Sequence, residues 1–196
     1  MPRKSPTSAQ TARQVQQQVG LIDPLAQADA SHLPSYPLVR SSAISEHLMA
    51  EIIGIDHIYI TVSDLNVSER FYDRVMVEAL GFRKNEFTLA GDPHIQYFNR
   101  LFGFVLRPAR VLSKHESHAP GLHHFCLRVD SPVEVHAVAE QLRRLGINAT
   151  EAKLYPEYAP DYTATFFEDP DGIRLEVTNY RQERRDRHDH WSQRTS

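Results

Sequence analysis

Alternation of apolar and polar positions predicts eight short strands along the chain. Two of them, HIYITV from His57 and HFCLRV from His124, alternate regularly from end to end. Each is followed, after a helix, by three further strand candidates, at about 83–89, 94–99 and 103–108 in the first half and at about 148–153, 162–168 and 172–178 in the second. The two halves therefore carry the same number of predicted strands.

A helical spacing of apolar residues separates the first strand of each half from the other three. The first helix begins at about Asp64 and ends at Gly81, with an apolar stripe made of Val67, Phe71 and Val75. The second begins at the capping box Ser131-Pro132-Val133-Glu134, with proline at the first helical position, and ends at Gly146. Its apolar stripe consists of Val135, Val138, Leu142 and Leu145. The two helices occupy matching places in the two halves.

These matching elements reflect an internal repeat. Setting His57 against His124 superimposes HIYITVSD on HFCLRVDS at an offset of 67 residues. The repeated unit is a strand, a helix and three strands. It occurs twice, as modules 52–112 and 119–180 of one domain that spans 51–180.

Composition changes at both ends of this domain. Residues 1–50, in which prolines stand among Gln, Ser and Ala without periodicity, predict a flexible extension. Residues 181–196 mix arginines with acidic residues, which is more typical of a solvated tail than of a binding patch.

Composition also favours a small-molecule partner over a macromolecule or a membrane. A chain of 196 residues, of which 41% are hydrophobic, suffices for one domain with a proper core. The formal net charge of −3 gives no general attraction for nucleic acid or an anionic membrane, and no run approaches the roughly 20 apolar residues of a membrane span. The single cysteine, Cys126, excludes an internal disulfide and fits a reducing compartment, so a cytoplasmic location is expected.

Three residues, His57, His124 and Glu176, form the candidate metal site. Two imidazoles and a carboxylate suit a divalent metal that keeps positions open for a substrate or dioxygen. Their wide spacing requires strands from both modules to bring them together. A carboxylate in the otherwise apolar strand around Glu176 also calls for a metal or a cation. The alternatives are ordinary rim histidines and a glutamate paired with an arginine; the neighbouring His123 is expected to point to the opposite face.

The repeat and these motifs resemble the vicinal oxygen chelate superfamily, which holds glyoxalases, extradiol dioxygenases, fosfomycin-resistance enzymes and bleomycin-binding proteins. The resemblance covers roughly residues 52–180, and its most specific part is YTATFFEDPDGIRLEV. It implies an α+β fold in which two βαβββ modules form an open, metal-centred barrel. It also implies that the metal ligands are His57, His124 and Glu176, on the first, fifth and eighth strands. Fe, Mn, Zn, Ni and Co all accept this ligand set, so the identity of the divalent ion stays open. Because the family often pairs subunits, a monomer and a homodimer both stay open.

One position departs from the pattern of four-ligand glyoxalases. Aligning the two halves at Gly103 and Gly172 sets Arg107 against Glu176, where those enzymes carry an acidic residue. Arginine cannot ligate a metal at ordinary pH, so the chain would supply three ligands. This departure counts against glyoxalase activity proper.

A second position departs from the ring-cleaving dioxygenases, which generally carry a tyrosine ten residues before the glutamate. This chain has Phe166 there, and Tyr162 lies four residues earlier on the same face by strand parity. Tyr162 is the candidate catalytic residue that would hydrogen-bond to, or exchange a proton with, a bound oxyanion. The alternative is a tyrosine that packs in its strand with the hydroxyl in water.

Strand parity predicts a positively charged lining around the metal. Three arginines are expected to lean inward, which favours an anionic ligand: Arg107, Arg128 and Arg174. Arg107 would orient the charged end of the substrate. The alternative is that some of them reach out at the barrel rim or bridge Glu176.

The resemblance implies electrophilic catalysis, in which two neighbouring substrate oxygens chelate the metal and the ion stabilises an enolate or other oxyanion. The expected function is a divalent-metal-dependent lyase, isomerase or dioxygenase acting on a small anionic oxygenated substrate. The alternative is a non-catalytic, drug-sequestering protein of the bleomycin-resistance type. Such binders usually lack a full ligand triad, which favours the enzyme.

Overall fold

The structure is a computed structural model and describes residues 52–191. The predicted flexible extension, residues 1–50, lies outside this range. Within the described range, no helix has both the length and the apolar character needed to cross a membrane.

The first module is a four-stranded sheet with a helical layer. Its elements are β1 (His57–Val62), α1 (Leu65–Tyr72), a π-helical segment (Asp73–Ala79), β2 (Arg83–Leu89), β3 (Asp92–Phe98) and β4 (Gly103–Pro108). The strand order across the sheet is β1-β4-β3-β2. Strand β1 runs parallel to β4, so the first and last strands of the module are neighbours.

The second module repeats this arrangement. Its elements are β5 (His124–Val129), α2 (Pro132–Arg144), β6 (Lys153–Leu154), β7 (Thr163–Glu168) and β8 (Arg174–Asn179). The strand order is β5-β8-β7-β6, with β5 parallel to β8. The predicted α+β fold of two βαβββ modules is confirmed, with the strands hydrogen-bonded into two separate sheets.

Strand β6 is much shorter than the predicted strand at 148–153. Only Lys153 and Leu154 pair with β7 in a regular ladder. Before them, the side chain of Thr150 replaces ladder bonds, because its hydroxyl accepts the Phe166 N–H at 2.9 Å. The Thr165 hydroxyl in turn donates to the Thr150 carbonyl at 2.7 Å. A polar side chain thus interrupts the pairing that the apolar pattern predicts.

Both helices begin as predicted. The Asp64 side chain caps α1 by accepting the Val67 N–H at 3.0 Å. Ser131 and Glu134 form the predicted capping box at the start of α2, with proline in its first turn. The predicted apolar stripe of the first helix is only partly right: Phe71 is buried, whereas Val67 is 38% exposed.

Two hydrogen bonds tie the DPDG turn before β8 to the first module. The buried Tyr72 hydroxyl of α1 donates to Asp169 Oδ2 at 2.9 Å, and the Ser63 N–H after β1 donates to Asp171 Oδ2 at 3.0 Å. Both modules also contribute to one apolar cluster, which includes Tyr72 and Leu175. These contacts join the turn before β8 to the first module.

The charged segment after residue 180 contains a helix, α3 (Gln182–Asp189), where the sequence predicts a solvated tail. Most of α3 is exposed, but the Arg185 guanidinium donates to the Asp130 carboxylate at 2.8 Å and lies 4.4 Å from the Tyr180 ring centroid. These contacts place α3 beside the end of β5.

Candidate metal centre

The first strand of each module has one buried and one open face. In β1, Ile60 and Val62 are buried, while His57 and Thr61 face outward. In β5, His124, Cys126 and Arg128 are exposed and Leu127 is buried. The alternation of inward and outward side chains predicted from the sequence is thus present in both strands. Each histidine lies on the open face of its sheet.

His124 and Glu176 come together on the open face of the second sheet. His124 Nε2 lies 3.5 Å from Glu176 Oε2, and the glutamate is only 4% exposed. The ladder explains this proximity, since Glu176 pairs with Cys126 on the neighbouring strand, two residues from His124. Among the described residues, no arginine or lysine forms a salt bridge with Glu176. The alternative of a glutamate bridged by arginine finds no support there.

Tyr162 contacts the other oxygen of the same carboxylate. Its hydroxyl donates to Glu176 Oε1 at 2.5 Å. Burial and this hydrogen bond raise the pKa of Tyr162 above its ordinary value, so the hydroxyl keeps its proton near neutral pH. Cys126 is exposed as a residue, but desolvation of its thiol and the Glu176 carboxylate raise the pKa of that thiol to about 12. Strand parity predicts Cys126 on the face of His124, and the ladder sets it opposite Glu176.

His57 does not join this pair. Its Nδ1 lies 2.6 Å from Asp56 Oδ2, and the side chain is 52% exposed. The residue lines an open cavity of about 520 Å³ on the first module, together with Gln96 and Phe102. Within residues 52–191, no group of three His, Cys, Asp or Glu side chains is arranged to hold one ion.

The ladder register corrects the position assigned to Arg107. When His57 is aligned with His124, Tyr59 on β1 occupies the place of Cys126 on β5. In the sheets, Cys126 pairs with Glu176, whereas Tyr59 pairs with Val105. The counterpart of Glu176 is therefore the buried Val105, and Arg107 corresponds to a position two residues further along the strand. A valine cannot ligate a metal, so the first module still offers no fourth ligand at this place.

The three arginines expected around the metal have other partners. Arg107 donates to Asp92 at 3.0 Å, Arg128 stacks 4.0 Å from the Tyr180 ring centroid, and Arg174 stacks 4.3 Å from the Phe166 ring centroid. A fourth arginine was missed by the sequence analysis because it follows the last strand. Arg181 stacks 4.9 Å from the ring centroid of Tyr162.

Comparison with known families decides the classification. The family model "Glyoxalase/Bleomycin resistance protein/Dioxygenase superfamily" matches residues 54–177. The chain belongs to this superfamily. The resemblance inferred from the repeat and the DPDG ending is therefore confirmed.

Individual relatives of this superfamily member are distant. Virulence protein STM3117 of Salmonella typhimurium is 26% identical over 138 residues, which cover 69% of this chain and 90% of that protein. A glyoxylase/bleomycin resistance protein/dioxygenase domain from Frankia sp. EAN1pec is 22% identical with a TM-score of 0.55, covering 67% of this chain and 100% of that one. Lactoylglutathione lyase from Agrobacterium tumefaciens is 20% identical with a TM-score of 0.50, covering 66% and 96%. Both structural likenesses show the fold alone.

The donors of this superfamily member fit a divalent cation chemically. Nδ1 of His57 faces the Asp56 carboxylate, which leaves Nε2 as a free donor atom in the usual carboxylate–histidine–metal pattern. Nδ1 of His124 lies 2.8 Å from Nδ1 of His123, so Nε2 is again the nitrogen that faces the carboxylate of Glu176. His123 thus contacts the proposed ligand instead of turning to the opposite face. A complete three-ligand site requires His57 to approach the His124–Glu176 pair.

Proposed function

We propose that this protein is a divalent-metal-dependent enzyme acting on a small, anionic, oxygenated substrate. The supporting observation is the pair of His124 Nε2 and Glu176 Oε2, 3.5 Å apart, on a carboxylate that is 4% exposed. The described neighbours of this buried carboxylate are an imidazole and a phenol, so no full positive charge balances its negative charge. A divalent cation between the two would supply that charge.

In this proposal His57, His124 and Glu176 hold the ion, which is Fe, Mn, Zn, Ni or Co. When bound, the ion would act as a Lewis acid toward two neighbouring substrate oxygens. Tyr162 would keep Glu176 Oε1 occupied through its hydroxyl, so that Oε2 is the oxygen left for ligation. The same hydroxyl is the nearest candidate to exchange a proton with an oxyanion, once it leaves Glu176. Lyase, isomerase and dioxygenase reactions all suit this arrangement.

Arg107, on the first sheet, is one candidate to orient the charged end of the substrate. Its side chain is one-third exposed, and it shares the Asp92 carboxylate with Arg110, which lies 2.9 Å from Asp92 Oδ2. Two arginines on one carboxylate leave a net positive charge. An anionic substrate group could therefore be attracted there, although Arg107 would have to give up part of its bond to Asp92.

Two arrangements would deliver His57 to the pair: a movement within one chain, or a homodimer in which the partner copy supplies it. Co-expression of His57→Ala with Glu176→Gln chains separates them. If the site is shared, half of the randomly paired dimers hold one intact site, and about a quarter of the sites bind metal. If the site lies within one chain, the mixture binds no more metal than the two variants do separately.

A non-catalytic drug-binding protein is the second candidate. It is favoured by the finding that the described residues do not gather three ligands around one point. A binder of this kind would retain an organic ligand without any metal and would turn over no substrate.

Metal analysis of protein purified without chelator tests the proposal. We expect one divalent ion per site in the wild type and a loss of that ion in His124→Ala. The control is His136→Ala, which removes an exposed histidine from α2 and should leave the metal content unchanged. Unchanged metal in His124→Ala would contradict the proposed site. Turnover of oxo acids, thioesters or catechols by the metal-loaded protein would then distinguish the enzyme from the binder.

A further inference from the structure

Arginines of the two modules and of the segment after them differ in how fully their charges are paired. Arg107 and Arg110 share the Asp92 carboxylate, with nitrogen–oxygen distances of 3.0 and 2.9 Å. Arg185 donates to the carboxylate of Asp130 at 2.8 Å. These three guanidinium groups already have a close anionic partner, with which a substrate anion would compete. Arg128 and Arg174 form no salt bridge among the described residues, and they stack on the rings of Tyr180 and Phe166.

Arg181, which precedes α3, is paired much more weakly. Its side chain is only 15% exposed, yet the carboxylate within salt-bridge distance belongs to Glu183, which is 69% exposed and lies 3.7 Å away. An ion pair with such an exposed partner contributes little, because water competes for both groups. A mostly buried guanidinium with weak pairing favours an additional anion.

Arg181 also lies beside the proposed ligands. Its guanidinium stacks over the ring of Tyr162, 4.9 Å from the centroid, and the hydroxyl of that ring donates to Glu176. Arg181 is therefore one side chain away from the carboxylate.

We propose that Arg181 determines substrate specificity by binding the anionic end of the substrate, a carboxylate or phosphonate, while the opposite end reaches the metal ligands. The inference rests on the proposed metal-dependent function. It assigns the anion to the second module, where His124 and Glu176 lie, instead of to Arg107 on the first. The substrate would then carry its charge a few bonds from the two chelating oxygens.

Matched chelators test this assignment on the full-length protein loaded with Mn²⁺. Acetohydroxamate carries the chelating group alone. The monohydroxamates of malonate, succinate and glutarate add a carboxylate at increasing distance. Isothermal titration should show at least one of the three binding about tenfold or more tightly than acetohydroxamate to the wild type. This preference measures the contact with the carboxylate independently of the contact with the metal.

Arg181→Gln should abolish the preference while leaving the Kd values for Mn²⁺ and acetohydroxamate within about twofold. Arg181→Lys should restore part of it, because the charge returns without the planar guanidinium. The control Arg184→Gln removes an exposed arginine from α3 and should retain the full preference. A substitution that merely disturbed the fold would weaken acetohydroxamate binding as well.

The inference is overturned if Arg181→Gln keeps the preference, or if Arg107→Gln or Arg174→Gln alone removes it. It is also overturned if metal-loaded wild type binds all four hydroxamates equally, and in that case the metal site still stands. Failure of the wild type to bind any of Fe, Mn, Zn, Ni and Co would instead overturn the proposed function, and this inference with it.

Discussion

The buried hydrogen bond between Tyr72 and Asp169 should contribute measurably to stability. Tyr72 is fully buried, Asp169 is 6% exposed, and the hydroxyl lies 2.9 Å from Oδ2. The other carboxylate oxygen already accepts the N–H groups of Asp171 and Ile173. Tyr72→Phe therefore leaves Oδ2 without a donor in a place that water reaches poorly.

The expected loss follows from the charge and burial of the acceptor. Hydrogen bonds to charged groups contribute about 1.5–3 kcal/mol, and the phenylalanine ring keeps the packing against Phe71 and Phe104. We therefore expect Tyr72→Phe to lower the free energy of unfolding by about 2 kcal/mol. For a domain of this size, that loss lowers the Tm by about 6 °C. Urea unfolding followed by far-ultraviolet circular dichroism would measure it.

Tyr97→Phe provides the matched control. Tyr97 is also fully buried, but its hydroxyl donates to Asp73, whose side chain is 36% exposed and can bond to water instead. This variant should lose less than about 1 kcal/mol. Equal losses in the two variants, or no loss in Tyr72→Phe, would refute the argument that burial of the Asp169 carboxylate sets the size of the effect.

Three further predictions concern single residues. Burial raises the pKa of Asp169, so its ionisation lowers stability as the pH rises from about 4 through the folded-state pKa. The side chain in Asp169→Asn cannot ionise. Chemical unfolding at several pH values should therefore show the variant gaining stability relative to the wild type between about pH 4 and pH 7. A stability difference that does not change with pH would contradict the raised pKa. Ser131→Ala removes the capping box of α2 and should cost about 1 kcal/mol in urea unfolding, and a neutral result would show that the cap is dispensable. Tyr162→Phe removes the donor that orients Glu176 and should weaken Mn²⁺ binding in calorimetry by about tenfold or more, while unchanged affinity would deny Tyr162 that role.

Local patterns predicted most of the fold. The predicted strands at about 83–89 and 103–108 have the bounds of β2 and β4, and the capping box at Ser131 starts α2. These features depend on neighbouring residues, so the sequence carries them directly. The π-helical segment Asp73–Ala79 was not predicted, because the apolar spacing of Phe71 and Val75 suits an ordinary helical turn equally well.

The site was less predictable, because it depends on register and on side-chain direction. Matching Gly103 to Gly172 assumed equal turns before β4 and β8, but the ladder sets Gly103 against Arg174. The alignment was therefore wrong by two residues, and Arg107 does not correspond to Glu176. Similarly, the parity of β1 places His57 on the open face but cannot tell whether its imidazole turns to Asp56 or to the carboxylate on the other sheet.

The central claim is that His57, His124 and Glu176 bind one metal ion. The most direct test is an anomalous difference map from crystals grown with Mn²⁺, recorded near the metal absorption edge. We predict a single strong peak within about 2.3 Å of Glu176 Oε2 and of Nε2 of both histidines, with His57 supplied by the same chain or by its partner copy. A map with no peak at Glu176, or with a peak that neither His57 contacts, would contradict the three-ligand site.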